Sequence, residues 1–115
     1  MTTLYGIPNC NTVKKARTWL DQHGIAYQFH DFKKQGTDDA QLAQWLQEFG
    51  SALINRQGTT WRMLGDNDKA RADNPTQAIE LLSEKPALIK RPLIDLGDKR
   101  HLGFNDARYT EIFKS

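Results

Sequence analysis

Apolar residues change their spacing along the first third of this chain in a way that predicts a strand, a helix and a second strand. Residues 2–7 are rich in apolar and β-branched side chains, as short strands are. Residues 11–23 carry apolar side chains at helical spacing, and Gly24 follows as a residue that can end a helix. Apolar and polar residues then alternate from Ile25 to His30, which is typical of a strand. Because a βαβ unit joins neighbouring strands by a helical crossover, we expect the two strands to be parallel.

The middle of the chain is predicted to be mainly helical. Thr37 is a good N-cap, and the helix that it begins is expected to end at Gly50. The apolar positions of this helix have the i, i+3, i+4, i+7 spacing of a buried face and are Leu42, Trp45, Leu46 and Phe49. Asn74 and Pro75 begin a further helix, since proline is favoured at the first helical position. Residues 51–74 carry only short apolar turns among polar residues.

Strand patterns return in the last third. Residues 87–89 and 93–94 are apolar and are expected to be extended, and residues 97–98 are a glycine-containing turn signal. Residues 100–104 can then return antiparallel to the preceding strand. Asn105 is expected to cap a final helix. The predicted order is βαβ, a helical block, and ββα, without repeats or linkers.

Composition and charge exclude several classes of protein. The 115 residues are enough for one domain, and 38% hydrophobic with 26% charged residues is typical of a globular protein. The net charge of +2 is too small to indicate a nucleic-acid partner, and no apolar run is long enough to predict a membrane span. The three histidines lack the spacing of metal ligands, so no metal is expected. The single cysteine cannot form an internal disulfide, and we expect a cytoplasmic protein.

Cys10 is the most informative candidate for chemistry. It follows the first predicted strand and a Pro8-Asn9 turn, and it directly precedes a helix that carries Lys14 and Lys15. The start of a helix and nearby cations both favour a thiolate, which is the nucleophilic form of cysteine. The alternative is a buried structural cysteine, because free cysteines are among the most buried residues.

Three segments together resemble the arsenate reductase (ArsC) family, in its YffB/Spx-like branch. They are residues 5–16 (YGIPNCNTVKKA), 88–94 (LIKRPLI) and 103–106 (GFND). The resemblance extends over essentially the whole chain. It implies a thioredoxin-like α/β fold over residues 1–115, with residues 37–84 a mainly helical insertion between the second and third strands.

The resemblance also implies which residues form the site. Cys10 matches the family's nucleophile and Arg91 matches one of three arginines around the bound oxyanion, with the Arg91–Pro92 bond in the cis form. Arg56 is aligned with the second arginine. The third has no match, because Gly103 lies near its position. The further residues expected to contact substrate are Asn9, Asn11, Thr12 and Pro92, although Asn9 and Thr12 are equally typical of an ordinary turn and helix start.

The resulting function prediction is a glutathione-dependent monothiol reductase with no tightly bound cofactor, in which Cys10 attacks and an external thiol completes the cycle. Val13 stands where related proteins with a CxxC pair have a second cysteine, so a dithiol switch is excluded. The first alternative is an arsenate reductase acting on an oxyanion. The second is a non-catalytic, Spx-like module that docks a protein partner such as RNA polymerase.

Overall fold

The computed structural model describes residues 2–114 and divides into two compact units. Residues up to 32 and from 91 onward form the first unit, and Lys33–Lys90 form the second. Among residues 2–114, no helix combines the length and the apolar character needed to cross a membrane.

The first unit is built on a four-stranded sheet with the order β2-β1-β3-β4. Its strands are β1 (Thr3–Gly6), β2 (Gln28–Asp31), β3 (Leu93–Asp95) and β4 (Arg100–Leu102). β1 pairs parallel with β2 and antiparallel with β3, which itself pairs antiparallel with β4. The predicted parallel βαβ unit and the C-terminal hairpin are therefore confirmed, and so is the α/β fold class.

Helix α1 (Asn11–Gln22) covers this sheet with the face that the sequence predicts. Its buried residues are Val13, Ala16, Trp19 and Leu20, and they pack with Leu4, Ile94 and Tyr109 in one apolar cluster. Gly6 allows β1 and α1 to approach closely, because a Cβ at this position would lie 2.8 Å from a Val13 methyl carbon. The position of α1 on β1 is thus fixed directly beside the segment that carries Cys10.

The last helix of the first unit is α7 (Asp106–Ile112). Asn105 caps it as predicted, since its side-chain oxygen accepts a hydrogen bond of 3.0 Å from the Arg108 N–H. Tyr109 is fully buried and makes a T-shaped ring contact with Trp19, with 5.4 Å between ring centroids. This contact holds α7 against α1.

The second unit is mainly helical. Its α-helices are α3 (Asp39–Phe49), α4 (Thr59–Arg62), α5 (Asp66–Arg71) and α6 (Pro75–Glu84), and 3-10 helices lie at Gly50–Leu53 and Pro86–Leu88. A further short helix, α2 (Phe32–Gln35), precedes them and was not predicted. Helix α6 starts at Pro75 and is capped by Asn74, as the sequence predicts.

Two local predictions are wrong. Asp38, and not Thr37, caps α3, because its carboxylate accepts hydrogen bonds of 2.8 and 3.2 Å from the N–H groups of Ala40 and Gln41. Residues 87–89 do not form a strand. Pro86 starts a 3-10 turn there, and Ile89 forms only a single bridge with Ile54.

Candidate active site

Cys10 lies in the connection between β1 and α1, directly before the first residue of α1. Its backbone N–H donates to the Ile7 carbonyl at 3.2 Å, which closes the turn that contains Pro8 and Asn9. Its own carbonyl accepts the first helical hydrogen bond from Lys14 N–H at 2.9 Å. Cys10 is therefore the N-cap of α1, directly before the helix as expected, and its side chain is half-buried.

The pKa of the Cys10 thiol is set by opposing effects. Partial burial raises the pKa, but the Val13 N–H, the Arg91 guanidinium and the Thr12 N–H each lower it, and the Arg91 charge lowers it further. The lowering effects prevail, so the pKa lies below that of an ordinary cysteine. No capping hydrogen bond of good geometry forms from this side chain, so the N–H groups act mainly as dipoles directed at the sulfur.

The sheet order brings Arg91 to Cys10. Leu93, the first residue of β3, lies opposite Tyr5 in β1, so the antiparallel chain before Leu93 continues past the end of β1 where Cys10 follows. The Arg91 guanidinium thereby comes near enough to the Cys10 sulfur to lower the pKa of the thiol, by hydrogen bonding and by its charge. Arg91–Pro92 is a cis peptide bond, as the resemblance implies, and the Pro92 carbonyl accepts a hydrogen bond of 2.8 Å from Gly103 N–H.

The other predicted site residues fall into two groups. Asn9 and Asn11 flank Cys10 and are exposed, Thr12 is half-buried in the first turn of α1, and Pro92 is buried at the start of β3. Arg56 belongs to the second unit. There its guanidinium donates to the Ser51 carbonyl at 3.1 Å and lies 5.2 Å from the centre of the Trp61 ring. The structure therefore brings Cys10, Thr12 and Arg91 together.

Gly103, near the position of the missing third arginine, adopts φ +80°. This left-handed conformation is strained for residues with a Cβ, although no atom lies within 4 Å of where that Cβ would be. The backbone here favours glycine over an arginine, independently of any crowding.

A groove of about 340 Å³ runs along the exposed face of α1, and the sequence analysis missed it. Its lining includes Lys14, Lys15, Phe104 and Asp106. The two lysines were expected only to act as cations near the thiol. The signal that could have found the groove is the i, i+4 spacing of Lys14 and Thr18, which sets the two residues on the same side of the helix.

The lowered thiol pKa gives a direct prediction. Iodoacetamide should alkylate folded Cys10 with a pH midpoint below that of the same thiol in urea, because only the thiolate reacts and its rate rises as pH rises through the folded pKa. Arg91→Gln should move the midpoint upward, since both a hydrogen bond and a charge are lost. Lys99→Gln, which removes an exposed cation elsewhere in the first unit, should leave the midpoint unchanged. Equal midpoints for the folded and unfolded protein would contradict an activated thiol.

Comparisons with known proteins agree with this architecture. The ArsC family matches residues 5–112. The structure of a protein named YFFB has 45% sequence identity and a TM-score of 0.90, covering 96% of this chain and 97% of that one. The solution structure of an arsenate reductase (ArsC) related protein from Brucella melitensis has 42% identity and a TM-score of 0.75, covering 99% of this chain and 95% of that one.

A regulator is also among the relatives. The global transcriptional regulator Spx of Streptococcus agalactiae is 31% identical over 110 residues, which are 92% of this chain and 78% of the regulator. The match to the family therefore covers nearly all of the chain and includes both the cysteine turn and the Arg91–Pro92 segment. The chain belongs to the ArsC family, in its YffB and Spx branch, and has the thioredoxin-like fold of that family.

Proposed function

We propose that this protein is a glutathione-dependent monothiol reductase with Cys10 as its nucleophile. The observation that carries the proposal is the position of the Cys10 thiol at the start of α1 and beside Arg91, where the Val13 N–H and the Arg91 guanidinium lower the pKa of that thiol. Membership of the ArsC family, whose fold is a thiol-redox fold, supports it. Glutathione is the proposed co-substrate, and the cycle requires no bound cofactor.

The proposed cycle consists of two disulfide exchanges. The Cys10 thiolate attacks the glutathione sulfur of a mixed disulfide, which forms a Cys10–glutathione disulfide and releases the substrate thiolate to take up a proton. The thiolate of a second glutathione then attacks the glutathione sulfur of that adduct. Oxidised glutathione leaves, and Cys10 is again a thiolate. In sum, the mixed disulfide and one glutathione thiol give the substrate thiol and oxidised glutathione, so one disulfide replaces another and one cysteine is sufficient.

Arg91 and the helix start have complementary roles in this cycle. Their hydrogen-bond donors and positive charge stabilise the Cys10 thiolate, which is both the attacking group in the first step and the leaving group in the second. Arginine offers a planar fork of donors, so it can also bind a carboxylate of glutathione while it faces the sulfur. Lys14, one helical turn from Cys10, supplies a further cation to the groove along α1.

Mass spectrometry tests this proposal. Incubation with oxidised glutathione should add one glutathionyl group to Cys10, and reduced glutathione should remove it. In Arg91→Lys, the adduct should form more slowly even though the charge is kept, because the forked donor geometry is lost. Circular dichroism serves as the control for folding. The proposal would be overturned if Cys10 reacted with oxidised glutathione no faster than a small free thiol does, or if reduced glutathione did not remove the adduct.

Arsenate reduction is expected to be slow or absent. Negative charge develops on an oxyanion adduct, and several hydrogen-bond donors are needed to stabilise it. Loss of one such donor can lower the rate on the order of 100-fold. Gly103 lies near the position where the family's third arginine is expected. Arsenite production with glutathione and glutaredoxin should therefore fall far below reduction of a glutathione mixed disulfide by the same preparation. Arsenite production at a comparable rate would reverse this substrate assignment.

The similarity to Spx supports a second candidate function, a module that docks a protein partner without catalysis. The relative in question is a global transcriptional regulator, and this chain covers 78% of its length. A docking module does not need the thiol, whereas a reductase does. The two functions are separated by the Cys10→Ser variant considered in the Discussion.

A further inference from the structure

The groove along α1 extends away from the thiol that the proposed reductase uses. Lys14, whose N–H bonds to the Cys10 carbonyl at 2.9 Å, lines its first part, and Gln22, the last residue of α1, lines its far part. At a rise of about 1.5 Å per residue, these two residues are about 12 Å apart along the helix. The groove is therefore long enough for about four residues of an extended peptide, which span about 3.3 Å each.

The other wall of the groove also begins near the thiol. Phe104 belongs to this wall, and the N–H of the preceding Gly103 donates to the Pro92 carbonyl at 2.8 Å. Pro92 in turn follows Arg91 directly. Phe104 and Cys10 also pack against the same apolar cluster of the first unit. A substrate disulfide at Cys10 is therefore next to the beginning of the groove.

The charges of the groove favour an acidic ligand. Lys14 and Lys15 both line it and are exposed, and among residues 2–114 neither lysine takes part in an ion pair. The lining also includes the carboxylate of Asp106, which accepts a hydrogen bond of 3.4 Å from the Thr110 hydroxyl and lies in the first turn of α7. The two ammonium groups thus exceed this one negative charge and are available to carboxylates of a ligand.

Apolar and hydrogen-bonding surfaces complete the groove. The half-buried Phe104 ring is held by a T-shaped contact with the fully buried Tyr109, with 4.8 Å between ring centroids, and Trp19 contributes further apolar surface. Thr18 and Gln22 add exposed polar side chains that can bond to backbone groups of a ligand. A peptide combines backbone amides with acidic and apolar side chains, so it matches this lining better than a simple anion does.

We propose that the groove along α1 binds an acidic segment of a glutathionylated protein, and that such proteins are the substrates of the reductase. This inference rests on the proposed function. In the first exchange Cys10 attacks the glutathione sulfur, and the group released is the cysteine thiolate of the protein, which takes up a proton. The segment beside that cysteine lies in the groove, where its acidic side chains pair with Lys14 and Lys15 and an apolar side chain lies on Phe104.

Two substrates with the same glutathionyl group test this proposal. The first is a synthetic peptide whose glutathionylated cysteine has two glutamates and a phenylalanine on each side, so that it fits α1 in either chain direction. The second is the mixed disulfide of glutathione with β-mercaptoethanol, which has no side chains for the groove. A change in the thiol itself alters both rates alike, so the ratio of the two kcat/KM values reports on the groove. That ratio should fall about tenfold when lysines replace the glutamates of the peptide.

Charge reversal in the protein should reverse this preference. Lys14→Glu/Lys15→Glu should lower the ratio for the acidic peptide by about tenfold and raise it for the lysine peptide. Both effects should shrink at high salt, because exposed charges are screened. Lys99→Glu/Lys114→Glu is the matched control, since it makes the same change of charge at exposed positions of the first unit outside the groove lining. It should leave the ratio unchanged.

A binding measurement separates this proposal from the proposed function. The acidic peptide with an S-methylated cysteine cannot exchange, and in NMR spectra it should shift the amides of residues 14–22. S-methylglutathione, which we expect beside Cys10 and Arg91, should leave the amides of residues 18–22 unshifted. Equal shifts there would mean that the glutathionyl group itself fills the groove, which would overturn the proposal.

Three further outcomes would overturn the groove as a substrate site while the reductase function stands. They are equal kcat/KM values for the two peptides, an equal loss in Lys99→Glu/Lys114→Glu, and peptide shifts confined to other parts of the chain, each with the small mixed disulfide still reduced. If the protein reduces neither the peptide nor the small substrate, the proposed function itself is wrong, and the groove is not a substrate site.

Discussion

Replacing Cys10 by serine is expected to abolish glutathione mixed-disulfide exchange while the fold is retained. A serine hydroxyl is not ionised at neutral pH and cannot form the disulfide on which both proposed steps depend. Serine is also a favoured N-cap, so at this position it should maintain or slightly raise the free energy of unfolding. Steady-state reduction of a glutathione mixed disulfide and urea unfolding measure the two quantities.

Ala26→Ser is the matched control, because it introduces serine at an exposed position of the first unit. It should leave exchange unchanged. Residual exchange in Cys10→Ser above the background rate of glutathione alone would remove Cys10 from the nucleophile role. If the unmodified protein lacks exchange, and Cys10→Ser binds RNA polymerase as the unmodified protein does, the docking function is the correct one.

Gly6→Ala is expected to destabilise the protein by about 1–3 kcal/mol, the usual cost of overfilling a packed core. The new methyl group would lie 2.8 Å from Cγ2 of Val13, which is fully buried. Alanine also lowers the entropy of the unfolded chain, which is worth only about 0.4–1 kcal/mol in the opposite direction. Chemical denaturation measures the net effect.

The double variant Gly6→Ala/Val13→Ala tests the cause. Val13→Ala removes the methyl groups that the new Cβ would meet, so the double variant should be less destabilised than the sum of the two single variants. Gly65→Ala serves as the control, since no atom lies within 4 Å of its Cβ position and its φ is −72°. If the losses of unfolding free energy in the two single variants simply added in the double variant, the close approach of β1 to α1 would not be the reason for glycine at position 6.

Short-range chemistry explains which parts of the fold were predictable. Asn74, Asn105 and Gly50 were assigned correctly, because a cap or a positive φ is decided by a few neighbouring backbone groups. The cap of α3 was missed because Thr37 and Asp38 are both good cap residues, and only the backbone conformation selects between them. Residues 87–89 were misassigned because a short apolar run has no period that separates a strand from a buried turn.

The candidate site depended on long-range structure instead. No periodicity in the sequence indicates that Arg91 lies beside Cys10, since their proximity follows from the antiparallel pairing of β3 with β1. That expectation came from the family resemblance.

The first unit is assembled from two ends of the chain, and this has a consequence for newly made protein. On the ribosome, β1 and α1 emerge long before β3, and Leu4 cannot pair with Ile94 until most of the chain has been translated. Over that interval Cys10 lacks Arg91, so its thiol has not yet gained the acidity of the folded protein. The acidity that Arg91 adds to the thiol therefore arises only after residue 91 has been synthesised and β3 has paired with β1, and a shorter chain lacks that contribution.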